Sequence, residues 1–292
     1  MTGTWYGLLL GSQRRSATTS EAYPAVRAEA GAAVQLGITR LVAPEHLHSE
    51  PYLMLRPWPL LAALRAEIAP FEAVGSVIAG LSSTAQLFGD LTTVSAIGAG
   101  SVGVALTAGY RQDDFVAARQ PYQDRFRLRA QLRLELAGSG SLSAGMLWSA
   151  ASTVRAASRA KADGAVWYGG PTMSDKAAAE IGEGGVVRRD VLIGVSDADV
   201  GRRWDQYIAP KYAAYARWGY TDDVGQVLAG TAEQVADRLS SLIDVAHPSG
   251  IVLRLCWPDM DGPSALDHVL TFGDEVLPVL RQEPLPMPAG RN

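Results

Sequence analysis

Eight short apolar runs, each followed by a stretch of helical pattern, recur along this chain of 292 residues. The predicted strands are the run from Trp5 that ends in Gly11-Ser12, then Ile38–Ala43, Ala73–Ala79, Val102–Leu106, Met146–Trp148, Ala165–Tyr168, Val186–Val195 and Ile251–Leu255. They are short and rich in Val, Ile and Leu, the pattern of buried parallel strands rather than of strands with one wet face. A chain that alternates in this way eight times is expected to close into a (β/α)8 barrel, an α/β fold. A doubly wound sheet is the rival, but G-x-G-x-x-G does not follow the first strand.

Helix signals fall between the strands. Thr18 and Glu21 form a capping-box pattern for a helix to about Leu36, and Thr231 and Gln234 form another for a helix to about Val245. Further helices are predicted at Pro57–Ala69, Gln86–Ile97, Asp114–Ala137 as one long element, from the Ser149–Thr153 loop to Ala162, at Asp175–Ile181, and at Ala265–Leu280. Ala198–Trp218 reads as helical with a bend or break at Pro210. The expected organisation is one domain over residues 1–283, with a loose tail at 284–292 that holds three prolines.

Composition narrows the function classes. Hydrophobic residues at 48% and charged residues at 19% allow a large core. A net charge of −4 and short basic pairs such as Arg14-Arg15 and Arg188-Arg189 argue against a nucleic-acid surface. A single cysteine, Cys256, no signal-peptide pattern and no long apolar segment predict a cytoplasmic chain without membrane contact.

In such a barrel the working loops follow the strand C-termini. That selects Gly11-Ser12, Glu45-His46, Ser82-Ser83, Thr107–Arg111, Ser149–Thr153, Gly169-Gly170 and Trp257-Pro258-Asp259. Hydroxyls at Ser149, Ser152 and Thr153 at a helix start suit a phosphate, and simple N-capping suits them equally. Gly169-Gly170 on the next strand brings backbone near the same place and moves the balance toward phosphate. His46, beside Glu45, is the residue able to exchange a proton near neutral pH; a rim histidine without chemistry is the plainer reading. His46, His48 and Glu50 alternate like a metal edge, but a third protein ligand is not evident, so no metal is expected. Trp257 and Asp259 either flank a flat ligand or pack the rim. The arginines of the long helix, Arg125, Arg127, Arg129 and Arg133, read as a solvated face.

Taken together these loops resemble the luciferase-like flavin monooxygenases, the bacterial luciferase superfamily. Ala43-Pro44-Glu45-His46 resembles that family's second strand exit, and Gly109-Tyr110-Arg111 with Asp114-Phe115 is similar to its G-Y-R-x-x-E-F signature. Ser149–Ala157 with Ala162-Asp163-Gly164 resembles the phosphate loop and helix. Gly230–Val235 and Trp257–Met260 resemble the G-T-P-E-x-V and W-P-G-M pieces. The family's acidic and basic residues near Phe88–Ser101 are missing, and Ala108 stands where such enzymes carry arginine.

The resemblance implies FMN, or F420, at the C-terminal strand ends. His46 takes the acid/base position and Glu45 orients it. Ser149, Ala150, Ser152 and Thr153 hold the phosphate, with Gly169 and Gly170 nearby; Ser82, Thr107 and Ala108 complete the cofactor site, and Ser12, Trp257 and Asp259 face the substrate. The implied activity is oxidation of a medium-sized organic substrate with dioxygen and reduced FMN from a separate reductase, in a homodimer. F420-dependent hydride transfer and non-catalytic flavin binding are the alternatives.

Overall fold

The computed structural model describes residues 3–15, 18–47, 49–68, 70–171, 173–218 and 226–282. Eight parallel strands pair each with the next: β1 (Trp5–Leu9), β2 (Arg40–Ala43), β3 (Glu72–Ile78), β4 (Val102–Thr107), β5 (Leu147–Ala150), β6 (Val166–Gly169), β7 (Val186–Ile193) and β8 (Gly250–Arg254). β8 returns to β1, with Tyr6 opposite Ile251 and Leu8 opposite Leu253, so the sheet closes into the expected barrel.

Alternation along the strands divides inside from outside. Leu9, Val42, Val74, Ala105, Trp148, Tyr168, Val186 and Val252, one from each strand, form a single apolar cluster that fills the barrel interior. Below it Trp5 stacks on Trp148 at 5.5 Å between ring centroids, and Trp148 lies 5.8 Å from Tyr168. The interior is therefore a packed plug, and open space begins only above it. Outward-facing residues hold the helices. Gly75 of β3 meets the indole of Trp58 from the helix Pro57–Glu67, and a Cβ at residue 75 would stand 2.5 Å from that ring. The helix sits this close because the strand carries no side chain there.

Both capping boxes are present. Thr18 N–H donates to Glu21 Oε2 at 2.9 Å, and Thr231 N–H donates to Gln234 Oε1 at 2.8 Å. Prolines reshape the remaining helices. The predicted long helix from Asp114 is two elements, Gln112–Ala117 and Arg125–Gly138. Arg119 is left-handed at φ 55°, and Pro121 lacks the N–H an α-helix would need, so a 3-10 turn at Tyr122–Asp124 joins them. Before Pro210 the chain widens into a π-turn over Trp204–Ile208, between Asp197–Arg203 and Ala209–Arg217. Pro278 follows a second π-turn, Phe272–Val276, in the closing helix.

Two small features were not legible in the sequence. Gln13–Arg14 pairs antiparallel with Leu53–Met54, and Leu228–Gly230 adds a parallel strand beside residues 191–193 of β7. Both are too short to show a period. Among the described residues no helix is long and apolar enough to cross a membrane. The tail at 284–292 and His48 lie outside the described residues.

Candidate functional site

Two residues past the apolar plug, side chains of the next layer point into the barrel mouth. Pro44, Ser76, Thr107, Ala150, Gly170, Arg188 and Arg254, from β2 through β8, all line one cavity of about 840 Å³. The wall from β2 to β6 is built of small residues, which leave flat open floor. The β7 and β8 wall is built of arginines. This asymmetry sets where a planar ligand and a charged one each fit.

His46 stands at one end of the cavity, on the loop leaving β2. Its Nδ1 lies 3.1 Å from Oδ2 of Asp114, a carboxylate 1% exposed at the start of the Gln112–Ala117 helix. The other oxygen, Oδ1, accepts from Leu47 N–H at 2.9 Å, so both backbone and ring are held by one acid. An ionised carboxylate only accepts, so Nδ1 carries the proton and Nε2 is left for the cavity side. There the Tyr110 hydroxyl is 3.5 Å from Nε2, with the Tyr110 ring edge-on to the imidazole. Trp218 packs nearby, and the buried Arg111 guanidinium lies 4.0 Å from its ring centroid.

Glu45 does not orient His46, contrary to the sequence expectation. Its Oε2 accepts from Ile78 N–H at 2.8 Å and its Oε1 from Arg56 at 3.1 Å. Adjacent residues on an extended loop point to opposite sides, which turns Glu45 back against β3 while His46 faces Asp114. Burial raises the Glu45 pKa, against the Ile78 N–H and Arg56, which lower it.

At the other end Ala150, Ala151 and Ser152 line the cavity beside Gly170 and Pro171. Arg129 lines it too. Its Nη1 donates to Ala150 O at 2.9 Å, while its Nε is buried without a hydrogen-bond partner. Burial, then repulsion from Arg133, lowers its pKa. Arg129 was read from the sequence as part of a solvated face. The break at Pro121 rotates the second helix segment so that Arg129 and Arg133 face the barrel instead.

Of the sequence-predicted residues, the cavity brings together Glu45, His46, Thr107, Ala108, Ala150, Ser152 and Gly170. The others lie off its lining. Ser149 is buried, with its Oγ 3.5 Å from Arg133 Nη1. Thr153 caps the helix Val154–Ala162, accepting from Ala156 N–H at 3.2 Å. Gly169 packs against Met173, and Ser82 sits in the turn before the helix Thr84–Ala96. Ser12 is fully buried, and its hydroxyl has no hydrogen-bond partner. Trp257 is a core residue whose indole N–H donates to Val191 O at 2.9 Å, and Asp259 pairs with Arg15.

The β7–β8 wall was not anticipated at all. Arg188 and Asp190 share a strand face; Arg188 Nε donates to Asp190 Oδ1 at 2.8 Å and Nη2 to Oδ2 at 3.1 Å. Lys211, from the helix Ala209–Arg217, donates to Asp190 Oδ2 at 2.8 Å. Arg254, level with Asp190 in the strand register, completes the group. Charges two apart inside an apolar strand were the available signal, since such residues share one face. Burial alone would raise the Asp190 pKa; Arg188, Lys211 and Arg254 overcome it and hold the carboxyl far below its usual range. Burial, with Arg254 next, pushes the Lys211 ammonium well below its ordinary pKa, against the attraction of Asp190. Among the described residues no group of three or more His, Cys, Asp or Glu is arranged to hold a metal ion.

No protein-family model matches the chain. No curated protein is significantly similar to it in sequence. Solved structures are similar in fold. The monooxygenase RslO1 from Streptomyces bottropensis superposes with a TM-score of 0.76 at 14% identity, covering 94% of this chain and 99% of that one. The oxygenating constituent of 3,6-diketocamphane monooxygenase from Pseudomonas putida, in complex with FMN, gives 0.69 at 12% identity, covering 97% and 100%. An F420-dependent secondary alcohol dehydrogenase in complex with an F420-acetone adduct gives 0.69 at 13% identity, covering 96% and 99%. The fold of this chain is the (β/α)8 barrel that these structures share.

Proposed function

We propose that this chain is a flavin-dependent monooxygenase of the luciferase-like type. It oxidises a medium-sized organic substrate with dioxygen, using reduced FMN delivered by a separate reductase, and works as a homodimer. One observation carries the reading: a single cavity runs from His46 at one end to Arg129 and Ser152 at the other. A phosphate-tailed planar cofactor needs those two ends and a flat, uncharged floor between them.

The residues present fit FMN. Arg129 donates to Ala150 O through Nη1, while its buried Nε has no partner and leaves the cation a free donor beside the Ala150–Ser152 loop. Arg129 and Ser152 would hold the phosphate, aided by the N-terminus of the Val154–Ala162 helix and the backbone at Gly170. Arg129 thereby supplies from a helix the charge that Ala108 does not supply from β4. Ser76, Thr107 and Ala108 would underlie the ring, because their short side chains leave it room. Bound reduced FMN supplies the electrons for dioxygen chemistry. His46 holds or releases a proton at Nε2, with Asp114 fixing its tautomer and Tyr110 in position to relay. Tyr215 and Met173, with the plug below, exclude water from the reacting face. F420-dependent hydride transfer is the second reading, favoured by the likeness to the F420-dependent dehydrogenase.

Spectral titration of the purified protein with FMN and with F420 tests both. FMN perturbing the spectrum and saturating at micromolar concentration is the expected result. Saturation by F420 alone selects the second reading, and no response to either cofactor overturns both.

A further inference from the structure

We infer that the Arg188–Lys211–Arg254 wall is the recognition site for a carboxylate on the substrate. The inference rests on the cavity being the redox site and deepens it by naming the substrate class.

Three cationic side chains, Arg188, Lys211 and Arg254, share the single carboxylate of Asp190. Asp190, Lys211 and Arg254 lie out of bulk water, at 0%, 1% and 5% exposed. Arg188 and Lys211 are hydrogen-bonded to Asp190. Arg254 is not. Its Nε stands 3.6 Å from Asp190 Oδ2, outside hydrogen-bond range, and is buried without a partner. Among the described residues no hydrogen bond reaches its guanidinium. Yet the side chain lines the cavity. A buried guanidinium without a hydrogen-bonded acceptor is costly, and an apolar residue of similar size would cost less. A guanidinium aimed into a ligand cavity is balanced when the ligand brings the acceptor.

The chemistry of that acceptor follows from the count. Three cations against one carboxylate leave the wall positive and call for an anion, and the planar fork of Arg254 matches the two oxygens of a carboxylate. Arg254 is also on β8, across the closed ring from β4 and away from the Ala150–Ser152 end. An acid held here would place the rest of its skeleton over the small-residue floor, between the wall and His46.

The test uses 2-naphthoate, its uncharged analogue 2-naphthamide, naphthalene-2-sulfonate and inorganic phosphate, titrated calorimetrically into the full chain with and without FMN. The expected result is naphthoate binding at least tenfold tighter than naphthamide, with or without FMN. In Arg254→Gln that preference disappears while naphthamide and FMN affinities stay within twofold of the parent. Arg254→Lys, which keeps the charge and loses the fork, retains part of the preference. Undetectable naphthoate binding, equal binding of acid and amide, or a preference that survives Arg254→Gln each overturns the inference. Tighter binding of the sulfonate overturns the carboxylate assignment. Loss of FMN affinity in Arg254→Gln, or displacement of naphthoate by phosphate, assigns the wall to the cofactor instead. Because the FMN-free arm stands alone, failure of flavin binding is distinguishable from failure of acid recognition.

Discussion

Asp114 Oδ2 and His46 Nδ1 lie 3.1 Å apart although 68 positions separate them in the chain. The contact joins the loop after β2 to the helix start after β4, so it exists only once the barrel has closed. It gives the histidine a defined tautomer, which no neighbour in sequence does.

Replacing Asp114 by Asn should therefore disturb His46 without touching the cofactor end. In the parent protein, imidazole ¹⁵N shifts should report the Nδ1–H tautomer for the neutral ring. In Asp114→Asn the shifts should move toward the other tautomer, because an amide can donate to Nδ1. Turnover should fall by about 100-fold, the low end of the range that positioned proton transfer contributes, while FMN affinity is unchanged. Identical ring shifts in parent and variant would remove the orienting role.

Arg129 offers a test of the phosphate end. Arg129→Gln should weaken FMN binding about 10- to 100-fold, as expected for loss of a hydrogen bond to a charged group. Riboflavin, which lacks the phosphate, should bind parent and variant alike. Arg127→Gln, an exposed position on the same helix, should change neither. Fluorescence titration measures all of these.

His268 sets an acid limit on stability. Its Nε2 accepts from Ile193 N–H at 2.8 Å and its Nδ1 lies 2.6 Å from Leu255 O, so the buried ring is held neutral. Burial lowers its pKa from 6.5 to about 4. Between those values the unfolded chain binds a proton that the folded chain refuses, so stability falls as pH drops from 6.5 toward 4. The slope is about 1.4 kcal/mol per pH unit, or roughly 2 kcal/mol between pH 6.5 and 5. Urea unfolding of parent and His268→Gln at pH 7 and pH 5 checks it. The variant should lose less on acidification, and parallel losses would contradict the assignment.

Packing at Gly75 predicts opposite outcomes for two alanine substitutions. Gly75→Ala places a Cβ 2.5 Å from the Trp58 ring and should destabilise by about 1–3 kcal/mol. Gly89, inside the helix Thr84–Ala96, has open space around its Cβ position. Gly89→Ala should stabilise by about 0.5–1 kcal/mol. Urea midpoints decide both.

The barrel was legible because short apolar runs alternate eight times with helical stretches, two of which open on capping boxes. His46, Thr107, Ala150, Ser152 and Gly170 were legible for the same reason: strand C-termini share one end of a parallel barrel. What escaped was set by contacts across the chain. Asp114 was visible as an acid before a helix, but its partner is on another loop. Arg129 was misread because a helix continued through Pro121 would place the arginines differently. The Arg188–Asp190–Lys211–Arg254 group draws on β7, β8 and a helix between them, and no local pattern announces a cluster assembled from three elements. Glu45 was paired with His46 by adjacency, which an extended loop does not honour.

The central claim is that one planar, phosphate-bearing cofactor spans the mouth from Arg129 and Ser152 to His46. A crystal structure of the protein grown with FMN measures this directly. The expected density places the phosphate on Arg129 and Ser152, with the ring lying over Thr107 and Ala108 and its edge toward His46 Nε2. Phosphate density against Arg188 and Arg254, or flavin bound outside this cavity, would contradict the account.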